Sequence, residues 1–374
     1  MRKVMNEIGF VLTYLDSYDI EWQCKKNKYK YGETVDVNPN RYRDWTDLRF
    51  FFRGIEKYVP RVRKIHIVTC GHVSSWLNAG HPQINVVKHG DYIPKKWLPT
   101  FSSCCIDMNL HRIGDLADQF VYLNDDMILT APVKQTDFFN DGKSCDSVIL
   151  SPRAYEMTEG LALHIAPIAG TAVINKHFQK KKVLRKNPRQ WLNVKYGSGL
   201  LRTLSLLTYP HFISFLNLHL PYSYLKSTYR TVWEEEGALL SQSSAHRFRE
   251  PMDVNHWIFS YWQYAFGNFH PRSTRFGKCF QIHSMEGAEK VAEAVKNQKY
   301  KVVCLNDGVL KNYVGGHQQH SGLSECWTGY HITKKIFIRK IRQKSRIVFD
   351  FPNADAGNFA CAISPKTIRM GVAA

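Results

Sequence analysis

The stretch QFVYLNDDMIL, residues 119–129, reads as a buried strand that ends in two adjacent carboxylates. Its first part is a nearly continuous apolar and aromatic run, which is typical of a strand covered on both faces. Asn124, Asp125 and Asp126 follow immediately, at the point where such a strand commonly passes into a plain turn. The stretch therefore predicts a sheet inside an α/β fold, with a polar cluster at the end of one strand.

The residues before this stretch contain further strand signals. Three short apolar runs are typical of strands: GFVLTYL (9–15), KIHIVT (64–69) and INVVKH (84–89). Between the strands, apolar residues at helical spacing predict helices over 44–59 and 104–113. In the first helix Asp44 is a plausible N-cap and Pro60 a stop. Strands that alternate with helices indicate a largely parallel sheet with covering helices. The lysine-rich run CKKNKYKY (24–31) is predicted to be an exposed loop.

The second half of the chain is more helical. The segment 178–197 begins with a basic run, and apolar-rich helices are predicted over 225–240 and 253–267. An amphipathic helix is predicted over 285–298, and the chain is expected to return to a strand over 299–307. We therefore expect an α/β half over 8–150 and a more helical half over 151–308. Beyond about residue 328 the chain is strongly basic and loses clear periodicity.

Composition narrows the class of protein. The 374 residues carry a formal net charge of +19 with 44% hydrophobic residues, which predicts a packed globular protein with either an anionic partner or simply a basic solvated surface. Nine cysteines without a CxxC pair favour free thiols in a reducing compartment. The N-terminus has no signal-peptide pattern, and the apolar run 204–220 is broken by Pro210 and His211. Cytoplasmic action is expected, with loose association at the inner face of the cell membrane allowed by the charge.

Two predicted strand ends carry acids. Asp16 and Asp19 follow the first strand, and Asn124, Asp125 and Asp126 follow the fourth. Ligands of open parallel sheets bind outside the carboxyl ends of the strands, and hard oxygen donors there suit Mg²⁺ or Mn²⁺ holding a diphosphate. Asp125 and Asp126 are the metal-ligand candidates, although Asx-rich turns alone also produce such clusters.

Basic and imidazole side chains supply the remaining candidates. His111 and Arg112 precede the acidic strand, where the arginine suits either a phosphate or a helix C-terminus. Further candidates lie in NLHLPYSYLKSTY (217–229) and AHRFREPMDVNHW (245–257): His219, Lys226, Arg247, Arg249, Asp253 and Asn255. A histidine can act as general base on a sugar hydroxyl, and an arginine can stabilise a phosphoryl transition state. There is no GxGxxG, P-loop, GxSxG or nucleic-acid-binding module.

The order of these motifs resembles a known family. The chain resembles the Stealth sugar-phosphate transferases over about 8–308. The resemblance is carried, in this order, by FVLTYLDSYDIEW, NRYRDWTDLRFFFRGIEKYVPRVRKIHIVTCGHVSSWLN, DYIPKKWLPTFSSCCIDMNLHRIGDLADQFVYLNDDMIL, HLPYSYLKSTYRTVWEEE, HRFREPMDVNHW and KYKVVCLND. The resemblance implies a Rossmann-like, glycosyltransferase-A-like fold with a catalytic domain over 1–328. Residues 329–374 form a divergent basic tail that lacks the ending expected of the family.

The resemblance also implies a reaction. Such enzymes transfer sugar-1-phosphate from a nucleotide sugar, typically a UDP-sugar such as UDP-N-acetylglucosamine, to a hydroxyl of an acceptor glycan, and UMP leaves. Capsular or exopolysaccharide synthesis is the implied setting. Two alternatives stay open: a metal-dependent glycosyltransferase that releases UDP, and a non-catalytic basic protein that binds anions.

Site residues follow from the family's motifs in this sequence. The resemblance implies nucleotide-sugar or metal binding by Asp16, Asp19, Asn124, Asp125 and Asp126, with Arg112 and His111 just upstream. His219 is then the base and Arg249 the phosphate-stabilising cation, with Arg247 as the fallback and Asp253, Asn255 and Lys226 as further candidates. Tyr14 and Ser17 depart from the tryptophan and glycine usual in the first motif.

Overall fold

The parallel strands suggested by the sequence are present. The computed structural model describes residues 8–16, 19–30, 48–59, 62–74, 76–153, 161–282 and 285–307. Ser17, Asp44, Pro60 and the predicted tail 329–374 lie outside these ranges. The strands are β1 (Ile8–Thr13), β2 (Lys64–Thr69), β3 (Ile84–Lys88), β4 (Gln119–Asn124), β5 (Met127–Leu129), β6 (Phe139–Asn140), β7 (Lys143–Asp146), β8 (Tyr222–Leu225), β9 (Phe269–Pro271), β10 (Gly277–Ile282) and β11 (Val302–Asp307).

Helices follow most of the predicted segments. They are α1 (Ile20–Lys30), α2 (Leu48–Tyr58), α3 (His89–Tyr92), α4 (Ser103–Met108), α5 (Leu161–His177), α6 (Lys180–Lys186), α7 (Pro188–Trp191), α8 (Gly199–Ser205), α9 (Lys226–Glu235), α10 (Gly237–Ala245), α11 (Trp257–Phe266) and α12 (Met285–Lys296). The predicted loop over 24–31 was wrong, because most of it belongs to α1. Asp19 Oδ1 accepts a hydrogen bond from the Trp22 amide and so caps that helix, and Trp22 buries its ring.

The central sheet has the strand order β3-β2-β1-β4-β8. β1, β2, β3 and β4 are parallel, and β8 joins the edge of β4 antiparallel. Thr13 is the register partner of Asn124, so the acidic segments after β1 and β4 leave the sheet side by side. The strand order confirms the predicted Rossmann-like α/β class, with a mostly parallel sheet, covering helices and a helical second half. The glycosyltransferase-A-like description stays a prediction.

A second sheet holds the residues that follow β4. β5 pairs antiparallel with β11, and β11 pairs parallel with β10. The Leu305 amide donates to the Asp126 carbonyl oxygen over 2.9 Å, which fastens the turn between β4 and β5 to β11. The third sheet, β6-β7-β9, lies beside β8. Acidic residues after β4 are therefore held by two sheets.

Apolar packing joins the two halves of the chain. One continuous core cluster contains Phe10 and Phe120 from the central sheet and Tyr229 and Phe259 from the helical half. The Tyr229 and Phe259 rings stack with centroids 3.5 Å apart. Within the described ranges, no helix combines the length and the apolar content that crossing a bilayer demands. The division into halves at residue 150 stays a prediction.

Candidate active site

A carboxylate and an imidazole meet where the two sheets join. Asp126 lies in the turn after β4, and His219 lies just before β8. His219 Nε2 is 2.9 Å from Asp126 Oδ2, which fits an N–H donating to a carboxylate. His219 has a φ of +51°, an uncommon conformation for a residue with a Cβ, so the surrounding structure must hold it.

Neighbouring residues hold this loop in place. A Cβ on Gly277 would lie 2.6 Å from Leu220 Cδ2 and 2.9 Å from the Val302 carbonyl oxygen, so only glycine lets the loop approach β10 so closely. The buried Arg272 donates from Nη2 to the Pro221 carbonyl oxygen over 3.1 Å. The position of His219 is thus determined by packing on both sides of it.

Two thiols border the Asp126–His219 pair. Cys304 Sγ donates to Asp126 Oδ2 over 3.3 Å, and the Cys304 thiol is hydrogen-bonded to that of Cys279, its register partner on β10. The ligand atoms of Asp126, His219 and Cys304 all lie within 4.8 Å of one another. Nitrogen and sulfur donors are softer ligands than Mg²⁺ prefers. We therefore interpret Asp126, His219 and Cys304 as a hydrogen-bonded unit that orients Asp126, and not as a set of metal ligands.

Hard oxygen donors lie on the other side of Asp126. Asp126 Oδ1 and Asn124 Oδ1 are buried atoms without a hydrogen-bond partner among the described residues. Buried oxygens are normally satisfied, so two orphans at one strand end indicate a missing partner that is a donor or a cation. The donor set at this end of β4 therefore fits Mg²⁺ or Mn²⁺.

The two acids after β1 surround a histidine. The Asp16 amide donates to His72 Nε2 over 2.7 Å, and His72 Nδ1 lies 3.6 Å from Asp19 Oδ2. Burial lowers the pKa of His72, although both carboxylates oppose that change. Because Nε2 accepts a hydrogen bond, the neutral ring carries its proton on Nδ1, facing Asp19. Asp19 is thereby both a helix cap and a partner of His72.

Arg249 is aimed into the site by α4. Arg249 Nη2 donates to Ser103 Oγ over 2.6 Å. Asp107, buried on the same helix, accepts a hydrogen bond from Tyr122 OH over 2.8 Å, and Tyr122 OH is 3.2 Å from Thr13 Oγ1. Burial raises the pKa of Asp107 to about 7, against the opposing effects of Tyr122 and Arg249. A chain of polar groups thus runs from Arg249 to the end of β1.

His256 is close enough to both basic candidates to be affected by their charges. Burial, followed by the positive charges of His219 and Arg249, lowers the pKa of His256 to about 3. Its ring sits edge-on to Tyr122 and Tyr222, with centroids 5.0 and 4.7 Å away, and Nδ1 is 2.7 Å from Tyr224 OH. His256 is therefore a neutral imidazole that packs among tyrosines of the site without adding charge.

Burial by itself lowers the pKa of His219. The negative charge of Asp126 and the hydrogen bond to it outweigh burial, and the pKa rises to about 9. The free site therefore presents a cationic imidazole beside a carboxylate at neutral pH. A cationic ring at this position attracts a diphosphate. The same ring must lose a proton before it can accept one.

Three candidates lie at the other end of the sheet. Lys226 Nζ donates to the carbonyl oxygens of Ile113 and Leu116, and it is buried. His111 packs against Tyr229 and Trp233, and Arg112 places its guanidinium 4.8 Å from the Trp233 ring centroid. His111 and Arg112 precede β4, and Lys226 follows Leu225, the register partner of Gln119 at the start of β4. The six residues of β4 span roughly 20 Å, so the structure places these three candidates at the amino end of β4 and away from Asn124.

Three further candidates have structural contacts. Arg247 lies over the Tyr29 ring at 4.8 Å from its centroid. Asp253 accepts from the Glu250 amide over 2.8 Å and from His246 Nδ1 over 2.7 Å, while Asn255 Oδ1 accepts from the Trp257 amide at the start of α11. These contacts help to hold the HRFR loop. Arg249 is the arginine of that loop that contacts Ser103.

Sequence reasoning missed five residues of this arrangement. They are His72, Ser103, Asp107, His256 and Cys304. A signal existed for Asp107, which interrupts the apolar helix CCIDM, because a lone acid on a buried helix face needs a partner. The others have no local signal, since strand order and loop packing bring them together.

Comparisons with known proteins identify the relatives of this chain. Residues 41–146 match the family model described as Stealth protein CR2, conserved region 2. The chain is 39% identical over 311 residues to "Capsular polysaccharide phosphotransferase WcwK" of Streptococcus pneumoniae, covering 82% of this chain and 91% of that protein.

Two further relatives extend the agreement. "Receptor polysaccharide phosphotransferase WefC" of Streptococcus oralis is 36% identical over 312 residues, covering 81% of this chain and 91% of that protein. "Exopolysaccharide phosphotransferase cps2G" of Lactiplantibacillus plantarum is 32% identical over 302 residues, covering 80% and 87%. With these relatives, and with Asp126 held beside His219, the chain is a transferase that belongs to the Stealth family of sugar-phosphate transferases.

Proposed function

We propose that this enzyme transfers sugar-1-phosphate from a nucleotide sugar, a UDP-sugar such as UDP-N-acetylglucosamine, to a hydroxyl of an acceptor glycan in capsular or exopolysaccharide synthesis. The Asp126–His219 hydrogen bond at the carboxyl end of the parallel sheet carries this proposal. The names of the relatives support phosphotransfer to a polysaccharide.

His219 is the proposed general base. Because Nε2–H faces Asp126, Nδ1 of the neutral ring is the nitrogen left to take the proton from the acceptor hydroxyl. A divalent cation on Asp126 would offset the carboxylate charge that raises the pKa of His219 in the free site, and it would thereby favour this neutral form. The acceptor oxygen forms a bond to the β-phosphorus, the bond from that phosphorus to the bridging oxygen breaks, and UMP leaves. Asp126 fixes the ring and stabilises the imidazolium, as a carboxylate does beside a catalytic histidine.

Arg249 is the proposed cation for the transferred phosphoryl group. Its hydrogen bond to Ser103 and the proximity of Asp107 hold the guanidinium in one orientation, so its remaining donors are set for equatorial oxygens. Asp16, Asp19 and His72 are proposed to border the nucleotide at the end of β1. Asp253 and Asn255 enter the proposal as positioning residues of the Arg249 loop.

A divalent cation, Mg²⁺ or Mn²⁺, is proposed at Asn124 and Asp126, with Asp125 beside them. When bound, it would neutralise charge on the diphosphate of the donor. The orphaned Asn124 Oδ1 and Asp126 Oδ1 support this assignment. Action at the inner face of the cell membrane is also proposed, since the chain carries a net charge of +19 and anionic leaflets attract such proteins.

One product analysis tests the reaction. The protein is incubated with UDP-N-acetylglucosamine, Mg²⁺ and an acceptor glycan, and the released nucleotide is separated by chromatography. We expect UMP in step with a phosphodiester product, and release that is slower by about 10²–10⁴-fold from His219→Asn. Exclusive release of UDP would replace the proposal with an ordinary glycosyltransferase, and no turnover with salt-sensitive glycan binding would favour the non-catalytic alternative.

A further inference from the structure

A long part of the chain contains no acidic residue. Between Glu159 and Glu234 every charged residue is a lysine or an arginine, although the whole chain carries 32 acidic residues. This part includes α6, α7 and α8 and runs on to His219. An acid-free stretch of this length gives one part of the surface a charge of a single sign, which a mixed basic surface does not have.

Apolar side chains are exposed on the same part. Val194 is 84% exposed and Leu201 70%, and Leu192, Leu204 and Tyr209 are exposed as well. Isolated exposed apolar residues are normal on soluble proteins. Here they fall close together in the sequence, within α7 to α8 and the turn that follows, and we call the surface of residues 180–209 the α6–α8 surface.

The α6–α8 surface is held rigidly from below. Trp191 is fully buried and packs against Phe212, Phe215 and Phe269. Lys180 Nζ donates to the carbonyl oxygens of Leu206 and Tyr209, which joins the start of α6 to the turn after α8. Neighbouring residues make the core contacts of this surface. Packing in the core therefore does not explain why Val194 and Leu201 are exposed.

Exposed cations are close in sequence to these apolar side chains. Lys181, Lys182, Arg185, Lys186 and Arg189 are exposed on α6 and α7, and Lys195 and Arg202 lie beside Val194 and Leu201. None of them forms an ion pair with another residue in the described part of the chain. Their charge is therefore available to an external anion.

We propose that the α6–α8 surface docks on an anionic phospholipid bilayer, with Val194 and Leu201 inserted at the headgroup level and the cations on lipid phosphates. This pairing of apolar side chains with lysine and arginine is what interfacial membrane binding requires. A soluble anionic glycan would use the cations but not the aliphatic side chains. A second copy of the chain would bring two like-charged surfaces together. The inference rests on the proposed membrane association and names the surface responsible for it.

Vesicle sedimentation tests the assignment with the full chain. We expect the protein to sediment with vesicles of phosphatidylcholine and phosphatidylglycerol, weakly with phosphatidylcholine alone, and less as salt increases. V194D/L201D and K181E/K182E/R185E should each lower the binding at least tenfold. Two matched variants elsewhere, M252D and K278E/K296E/K299E, should bind as the unchanged protein does, since Met252 is 70% exposed and these lysines are exposed outside this surface.

Activity separates failure of the surface from failure of the fold. V194D/L201D should keep its UMP release with a water-soluble acceptor, because neither residue contacts the site. Equal vesicle binding by V194D/L201D and the unchanged protein would overturn the α6–α8 assignment while leaving membrane association intact. Absence of any vesicle binding would overturn both. A change of oligomeric state in V194D/L201D would overturn the α6–α8 assignment and identify an interface between copies instead.

Discussion

Asp126 and His219 are 93 positions apart in the chain, and their side chains are joined by a hydrogen bond of 2.9 Å at the meeting point of two sheets. The central sheet presents Asp126, and the loop before β8 presents His219. The pair needs both sheets in register, because Cys304 of β11 also contacts the same carboxylate oxygen. The chemistry we propose therefore depends on the junction of the sheets and not on either one alone.

Replacing His219 tests its role as base. His219→Asn should lower kcat by about 10²–10⁴-fold, since general bases contribute on that order, and should weaken donor binding by a smaller factor, since it also removes the positive charge that attracts the diphosphate. UMP release and isothermal titration with UDP-N-acetylglucosamine measure the two effects. His211→Ala is the matched control, because His211 is exposed. Full activity of His219→Asn would remove the proposed base.

The two arginines of the HRFR loop separate chemistry from packing. Arg249→Ala should lower kcat by about 10²–10³-fold, the usual cost of losing one preorganised charge-stabilising group. Arg247→Ala removes the contact with the Tyr29 ring and should lower Tm with little change in kcat. Equal losses of kcat in both variants, or a larger loss in Arg247→Ala, would reverse the assignment.

Asn124 tests the cation site. Asn124→Ala removes one of the two orphaned oxygens and should raise the Mn²⁺ concentration needed for half-maximal activity at least tenfold. Electron paramagnetic resonance of free Mn²⁺ gives the binding directly, without turnover. Ser103→Ala, which removes a different polar group of the site, should bind Mn²⁺ normally. Unchanged Mn²⁺ binding by Asn124→Ala would place the cation elsewhere.

Asp107 makes the stability of the fold depend on pH. Its pKa in the folded protein is raised to about 7 from the ordinary 3.8, so the folded state holds a proton that the unfolded state has released. The free energy of unfolding should therefore fall as pH rises from about 4 to about 7 and then level off, a change of about 4 kcal/mol at ~1.4 kcal/mol per pKa unit.

Urea unfolding of Asp107→Asn isolates that contribution. The variant keeps a neutral group of the same shape, so the fall in unfolding free energy between pH 5 and 7.5 should be smaller than in the unchanged protein. Asp115→Asn is the comparison, because Asp115 is half exposed and pairs with Arg63 and Lys64 at the surface. Identical pH profiles for Asp107→Asn and the unchanged protein would contradict the raised pKa.

Lys226 is predicted to matter for stability and not for catalysis. Lys226→Met leaves the carbonyl oxygens of Ile113 and Leu116 without their donor, which should cost about 1–3 kcal/mol of unfolding free energy. Urea unfolding measures that cost, and kcat should stay within twofold. A loss of kcat with unchanged stability would return Lys226 to the list of catalytic candidates.

The sequence by itself determined the parallel strands, their covering helices and the polar ends of β1 and β4. Those features follow from local apolar periods and from the rule that parallel strands share a carboxyl edge. Asp126 and His219 were predicted as site residues from their motifs, and the structure places their side chains in contact. The sequence reading of CKKNKYKY (24–31) as a loop failed, because Asp19 caps the helix and Trp22 anchors it in the core.

Tertiary structure alone decided which polar groups meet. Arg112 is close to Asn124 in the sequence, but the six-residue strand β4 separates the two residues and places them at its opposite ends. His72, Asp107, His256 and Cys304 reach the site through strand order, helix packing and the second sheet, none of which leaves a local pattern. Hydrogen-bond partners over such separations depend on the register of whole elements, and that register exists only once the core has packed.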